Sequence, residues 1–192
     1  MKWIVIAIIA VIVPYTFLTL RYRRPGKAFE PYADMKDRAN TMRLLSAGYQ
    51  RINLEAQRPA SGAPGNATAT ISPAAGGLPA SLKSTLVDAP LLPTEIVTVG
   101  AAPTAAADAP YSIQFTCTLP DNKQQLAGAE LYVRGDEILV APTFEKLSGG
   151  LQARTRENII LLTVPARALK PGKYRITLIG QNASRAWSLQ VK

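Results

Sequence analysis

The chain of 192 residues contains no histidine and only one cysteine, Cys117. Without histidine it has no histidine-dependent catalytic triad, no histidine-ligated metal and no histidine-ligated haem. A single thiol also excludes an intramolecular disulfide, a four-cysteine zinc site and an iron–sulfur cluster held by one chain. No glycine-rich phosphate loop follows a predicted strand, and the acidic residues are scattered around turns. We therefore expect no enzymatic activity, no metal, no cofactor and no small-molecule substrate.

Negative charge is the scarcer sign, since 13 Asp and Glu stand against 22 Lys and Arg, a formal net charge of +9. Nucleic-acid-binding proteins usually concentrate basic residues on one stripe, interleaved with aromatic residues that stack on bases. In the last third of this chain the basic residues instead fall singly along predicted strands and loops. The charge therefore predicts a solvated positive surface and no nucleic-acid partner.

An apolar run without charge covers residues 3–20, WIVIAIIAVIVPYTFLTL. As a helix at about 1.5 Å per residue it spans roughly 27 Å, just enough to cross a bilayer's hydrocarbon core. Its aromatic flanks suit the two membrane interfaces, and the internal proline predicts a kink. We assign a transmembrane anchor to residues 1–24, with Trp3, Pro14, Leu20 and Tyr22 as its characteristic residues.

A basic flank follows this run and consists of Arg21, Arg23, Arg24 and Lys27. The apolar run is long and no small-x-small cleavage site precedes the arginines, so an uncleaved anchor is favoured over the alternative, a cleaved signal peptide. The positive-inside rule places this flank, and the large domain with it, in the cytoplasm. A long Ala/Pro/Thr-rich spacer before a small β domain is instead typical of exported bacterial proteins. We therefore expect a single-pass protein of the bacterial inner membrane with an extracytoplasmic domain, the cytoplasmic side being the alternative.

The juxtamembrane segment, residues 25–52, contains an amphipathic pattern that predicts a helix over residues 32–47. Its apolar stripe comprises Met35, Ala39, Met42 and Leu45, and Gly48 follows as a helix-ending residue. The narrow stripe suits either anionic lipid headgroups or a protein partner in the same membrane.

Residues 53–110 are predicted to be a disordered linker, because residues 57–80 and 100–110 are rich in Ala, Pro and Gly and poor in large apolar side chains. Residues 82–99 are the exception within it. Their apolar character predicts a first strand or a covering segment of the following domain, with a peptide-like motif for a partner as the alternative.

From residue 111 the hydrophobic pattern acquires a period of two, which indicates strands with one buried face. Cys117 shares the inward side of YSIQFTCTL with Ile113 and Phe115, which predicts a small core residue and not a reactive thiol. Two apolar runs flank Arg134-Gly135-Asp136, a tight hairpin turn that also matches the integrin-binding tripeptide. Further strands are predicted over residues 158–164, 174–179 and 186–191, and together they favour an antiparallel sandwich.

Residues 164–174, VPARALKPGKY, resemble the corner that precedes the penultimate strand of immunoglobulin-like and fibronectin-type domains. This resemblance implies that Leu169 plugs the core and that the Tyr174 hydroxyl bonds back to the corner backbone, with Pro171 and Gly172 in the turn. The expected fold is therefore all-β, an antiparallel immunoglobulin-like β-sandwich over residues 111–192. One transmembrane helix, a short amphipathic helix and a disordered Ala/Pro-rich linker precede it.

The expected function is that of a non-catalytic, single-pass membrane-anchored protein whose β-sandwich binds other protein subunits in a bacterial envelope assembly. Exposed sheet edges are the expected mechanism, and Arg154, Arg156 and Arg175 favour an acidic partner. The alternative starts from residues 21–30, RYRRPGKAFE, which follow one apolar helix and resemble the tail of the small single-helix subunit of cbb3-type cytochrome oxidases. That resemblance implies an accessory subunit or assembly factor of a respiratory oxidase, with a cytoplasmic C-terminus.

Overall fold

A computed structural model of the chain describes residues 2–22, 31–59, 69–147, 149 and 151–192. It divides into two compact units, Met1–Met35 and Lys36–Lys192. The first unit contains helix α1 (Lys2–Tyr22), which has Pro14 inside it. Among the residues described, no helix is both long enough and apolar enough to cross a membrane.

The second unit is mostly β and begins within helix α2 (Pro31–Ser46). A short helix, α3 (Ala80–Thr85), lies between its second and third strands. The strands are β1 (Gln50–Gln57), β2 (Ser72–Ala75), β3 (Glu95–Ala101), β4 (Thr104–Ala105), β5 (Tyr111–Thr118), β6 (Gln124–Arg134), β7 (Glu137–Lys146), β8 (Glu157–Val164), β9 (Gly172–Leu178) and β10 (Ala183–Val191).

The strands form one curled, mixed sheet in the order β2-β10-β9-β7-β6-β1-β8-β5-β3, with β4 added beside β10. Strand β1 joins its two halves, because residues 50–54 pair with β6 and residues 55–57 pair with β8. Strands β7 and β9 are parallel, as are β4 and β10. The prediction of a purely antiparallel domain is therefore wrong, because the chain crosses to the far half in β8 and returns beside β7 in the same direction. The curled sheet is compatible with a sandwich-like fold.

The two ends of the curled sheet approach each other where β10 begins. Backbone hydrogen bonds run from Gln181 N to Pro93 O (2.8 Å) and from Asn182 N to Thr94 O (3.1 Å). The Arg185 guanidinium Nε donates to Ile96 O at 3.2 Å. Since these bonds cover part of the β3 edge, that edge is less available for strand addition than the sequence suggested.

An inner core fills the concave side of the curled sheet. The predicted alternation in β5 is confirmed, because Ile113, Phe115 and Cys117 are buried while the residues between them are not. The inner core also includes Ile96, Leu119, Leu131, Ile138, Val140, Ile160, Leu162, Leu169, Ile176, Leu178, Trp187 and Leu189.

A second set of buried residues, the outer cluster, packs where helices α2 and α3 meet β6 and β7. Its members are Leu44, Tyr49, Leu82, Leu86, Tyr132, Leu139, Ala141 and Ile179. Helix α2 ends as predicted at Gly48, which has φ +77°, while Gly48 N and Tyr49 N donate to Leu45 O and Leu44 O. These paired bonds form a Schellman motif, which aligns Tyr49 with Leu44.

The compact domain therefore starts at Lys36 and not at residue 111. The predicted linker, residues 53–110, supplies the end of β1, strands β2 to β4 and helix α3, while its residues 60–68 lie outside the described part. Residues 82–99 belong to the domain, with Leu82 and Ile96 buried and β3 paired to β5. Small side chains suffice for β2 and β4, because both are short strands held by backbone pairing to β10.

Candidate functional site

The described side chains of α1 are exposed, and most of them are apolar. They include Trp3, Ile8, Ile9, Val11, Ile12, Val13 and Phe17. Leu20, Arg21 and Tyr22 belong to the same helix. The rest of the predicted basic flank, Arg23, Arg24 and Lys27, lies outside the described residues. The first unit thus offers a largely apolar surface among its described side chains.

The corner before β9 has the contacts that the family resemblance implied. Leu169 is buried in the inner core, and the Tyr174 hydroxyl donates to Lys170 O at 3.0 Å. The Tyr174 ring lies against Gly172, where an added Cβ would be 3.7 Å from Tyr174 Cε2. This corner is structural, since its polar groups bond to one another and present nothing reactive.

Cys117 is fully buried in the inner core. Burial raises the pKa of its thiol to about 12, against a smaller opposing effect from the positive charge of Arg58. The thiol is therefore neutral at physiological pH and a poor nucleophile. The described residues also contain no group of three or more acidic, cysteine or histidine side chains placed to hold a metal ion.

A polar cluster around Arg51 fastens helix α2 to the sheet. The Arg51 guanidinium donates to Asp37 Oδ1 of α2 at 2.6 Å and also to Glu130 of β6, which accepts a second hydrogen bond from Tyr132. Burial opposes the charge, but the hydrogen bonds and attraction of Asp37 and Glu130 prevail and raise the pKa of Arg51. The Arg134 guanidinium lies 4.6 Å from the centre of the Tyr49 ring beside this cluster. Because its acids and bases are paired, the cluster positions α2 and leaves no free reactive group.

Apart from these structural contacts, the described surface holds an open groove of about 510 Å³ across β9 and β10. On one side Gln190 N donates to Pro103 O at 2.9 Å, and on the other Arg175 N donates to Asp136 O at 2.8 Å. These bonds set the two walls, the turn before β4 and the Arg134-Gly135-Asp136 turn. The side chains exposed in the groove are those of Lys173, Arg175 and Ser188, with Asp136 at its edge.

The groove is positively charged. Tyr174 and Ile176 face the inner core, so the alternate residues Lys173 and Arg175 both point to the opposite face of β9. Neither of them forms an ion pair with another residue that the structure describes, and neither does Asp136. Two unneutralised cations beside one carboxylate leave a site that favours an anionic group.

Of the three arginines predicted to favour an acidic partner, only Arg175 lines the groove. Arg154 and Arg156 do not line the groove, and the Arg156 side chain donates to Leu119 O at 3.1 Å. Lys173 was detectable from the alternation in KYRITL, which places it on the same face as Arg175. The place of Asp136 in the groove was not detectable, because it depends on the parallel pairing of β7 with β9, which no local pattern indicates.

Comparison with protein-family models, with curated proteins and with solved structures finds no match to this chain.

Proposed function

We propose that this chain is a non-catalytic, membrane-anchored interaction protein of the bacterial envelope, in which α1 holds a β domain that binds a protein partner. The observation that carries the proposal is the row of exposed apolar side chains on α1, among them Ile8, Val11, Val13 and Phe17. Keeping them in water costs roughly 25 cal/mol per Å² of apolar surface, whereas a bilayer removes that cost. The uncharged run of residues 3–20 and the basic residues after it are the sequence support.

The second part of the proposal, binding without catalysis, draws on the composition and on the domain. The chain has no histidine, and its single thiol is buried with a raised pKa. The positive groove on β9 and β10 is open and has polar side chains, as a surface for a protein partner requires. An extracytoplasmic domain is part of the proposal.

Membrane extraction tests the anchor. We expect the full chain to stay in the pellet when bacterial membranes are washed with alkaline carbonate. The double substitution Val11→Lys with Ile12→Lys places two charges in the apolar run and is expected to release the chain. The matched control, Val97→Lys with Leu151→Lys, changes two exposed apolar residues of the second unit and is expected to stay in the pellet. Release of the unmodified chain would refute the anchor.

A second candidate function is an accessory subunit or assembly factor of a respiratory oxidase with a cytoplasmic domain. Besides the resemblance in residues 21–30, it is favoured by Met42 and Leu45, which are exposed on α2 and offer an apolar face to a membrane complex. A topology reporter fused after Lys192 separates the two candidates. A periplasmic signal supports the envelope role, while a cytoplasmic signal together with co-purification of haem in mild detergent supports the oxidase role.

A further inference from the structure

From the groove on β9 and β10 we infer that the partner contributes an extended acidic segment, with carboxylates on alternate residues facing Lys173 and Arg175. The inference rests on the proposed interaction function and adds to it a site and a chemical class of partner. It draws on three features of the groove: an incompletely paired strand edge, the spacing of the two cations, and the position of the single carboxylate.

Strand β9 extends past its neighbour at the groove. Its parallel pairing with β7 begins only at Glu137 opposite Arg175, so residues 172–174 lie before the point where β7 starts and have no β7 residue beside them. Arg175 N points toward β7, since it donates to Asp136 O. The backbone groups of Lys173, two residues earlier in the same strand, point to the same side, where β7 is absent. A short extended segment can add there through backbone hydrogen bonds.

The two cations match the repeat of such a segment. Lys173 and Arg175 are two residues apart on one face of a strand, a separation of about 7 Å. Because β7 occupies the edge beside Arg175, the segment pairs with the backbone at Lys173 only and continues along the groove over the face of β9. Alternate side chains of an extended segment have the same repeat, so one carboxylate meets Lys173 and the next meets Arg175. Arg175 can bind one carboxylate through two parallel hydrogen bonds, while Lys173 attracts the other as a compact charge.

Asp136 and Ser188 further restrict what fits. Asp136 lies at the edge of the groove and repels a third carboxylate, which limits the acidic stretch and favours a neutral residue there. The exposed Ser188 hydroxyl, on the neighbouring strand β10, is available as a donor to the segment. Nucleic acid suits the site less well, because the aromatic ring at the groove, Tyr174, packs on Gly172 and its hydroxyl is bonded to Lys170 O.

The test is calorimetric titration of the full chain, purified in a non-ionic detergent at low salt. The probe is an acetylated and amidated eight-residue peptide of alternating valine and threonine, in which glutamate replaces threonine at positions 4 and 6. The control peptide carries glutamine for both glutamates. We expect binding of the acidic peptide only. Lys173→Gln with Arg175→Gln is expected to weaken it by about tenfold or more, and Asp136→Asn to strengthen it by roughly twofold to fivefold. Arg154→Gln removes an exposed cation outside the groove and is expected to change affinity by less than about twofold.

Three results would overturn the inference: equal binding of the glutamine peptide, equal loss on Arg154→Gln and on the groove substitutions, or displacement of the peptide by an oligonucleotide of ten thymidines. Circular dichroism of each variant shows whether the domain remains folded. The carbonate extraction described above reports on the anchor alone. A chain that stays in the membrane but ignores the acidic peptide therefore refutes the groove assignment, whereas a released chain that binds the peptide refutes the anchor.

Discussion

The inner core and the outer cluster lie on opposite faces of the same two strands, yet they are built differently. In β6 and β7, Leu131 and Val140 belong to the inner core, while Tyr132 and Leu139 belong to the outer cluster. The inner core is enclosed by the curled sheet itself. The outer cluster depends on α2 and α3, two helices that precede most of the sheet in the chain. The sheet therefore encloses one core by itself and acquires the second only through added helices.

The two faces also leave different signals in the sequence. Strand β5 has one buried face and shows clean alternation. Strand β7 contains the continuous run Ile138 to Ala141, all buried, because both of its faces are covered. Such a run is typical of a strand covered on both sides, and it was the available sign that another layer packs on this sheet.

The largest expected effect comes from the inner core. Phe115 is 1% exposed, and Phe115→Ala leaves a cavity that the surrounding strands cannot fill. We expect the free energy of unfolding to fall by about 4 kcal/mol. Urea unfolding of the full chain in detergent measures this through Trp187 fluorescence, in a Trp3→Phe background, since the chain has two tryptophans.

The control for this measurement is Val97→Ala, which truncates an exposed apolar residue of β3. It is expected to change the free energy of unfolding by less than about 0.5 kcal/mol. Similar losses from Phe115→Ala and Val97→Ala would contradict the enclosed inner core.

A smaller effect is expected from the outer cluster, where two adjacent leucines form a matched pair. Leu44 is 1% exposed, whereas Leu45 is 63% exposed on the other side of α2. Leu44→Ala is expected to cost about 3 kcal/mol, and Leu45→Ala less than about 0.5 kcal/mol. Hydrogen exchange measures where the loss falls. Faster exchange at α3 and at Tyr49 N than in β5 and β8 is expected if the outer cluster opens before the inner core. Equal effects of the two leucine substitutions would show that α2 does not pack on the sheet.

Helix α2 shows which structural features a sequence pattern predicts and which it does not. Its existence and its end at Gly48 were predictable from local signals, but the buried side was not. The predicted stripe is exposed, and the side toward the domain contains Asp37, Asn40 and Leu44 instead. Two of these are polar and bond to Arg51 and to Val87 N, so no hydrophobic period marks them. A hydrophobic period does not indicate contacts that polar side chains make with partners far along the chain.

The groove was predictable to a similar extent. Its cations follow from alternation within β9, but its walls depend on which strands become neighbours. The linker prediction failed for the related reason that β2 and β4 are held by backbone hydrogen bonds, which depend little on side-chain type. Composition indicates how much apolar surface a segment can bury. It does not indicate whether the backbone of the segment pairs with a strand far along the chain.

The smallest expected effect is a loss of stability at alkaline pH, which distinguishes a group in the inner core from one in the outer cluster. The unfolded thiol of Cys117 loses its proton near pH 9.0, whereas burial keeps the folded thiol protonated to about pH 12, its raised pKa. Within this window the folded state binds more protons than the unfolded state, so stability decreases as pH rises. Between pH 9 and 10 we expect the thiol to contribute a loss of about 1 kcal/mol, measured by urea unfolding, and Cys117→Ala is expected to remove that part of the loss.

The tyrosines extend this comparison above pH 10. Burial raises the pKa of Tyr111 in the inner core to about 12, and burial also raises the pKa of Tyr132 in the outer cluster. Tyr111→Phe and Tyr132→Phe are therefore expected to flatten the stability profile mainly above pH 10, where more than half of each unfolded tyrosine is ionised. A Cys117→Ala variant that loses as much stability between pH 9 and 10 as the unmodified chain would show that another group dominates there. The buried thiol would then not be the group that makes the inner core respond to alkali before the outer cluster does.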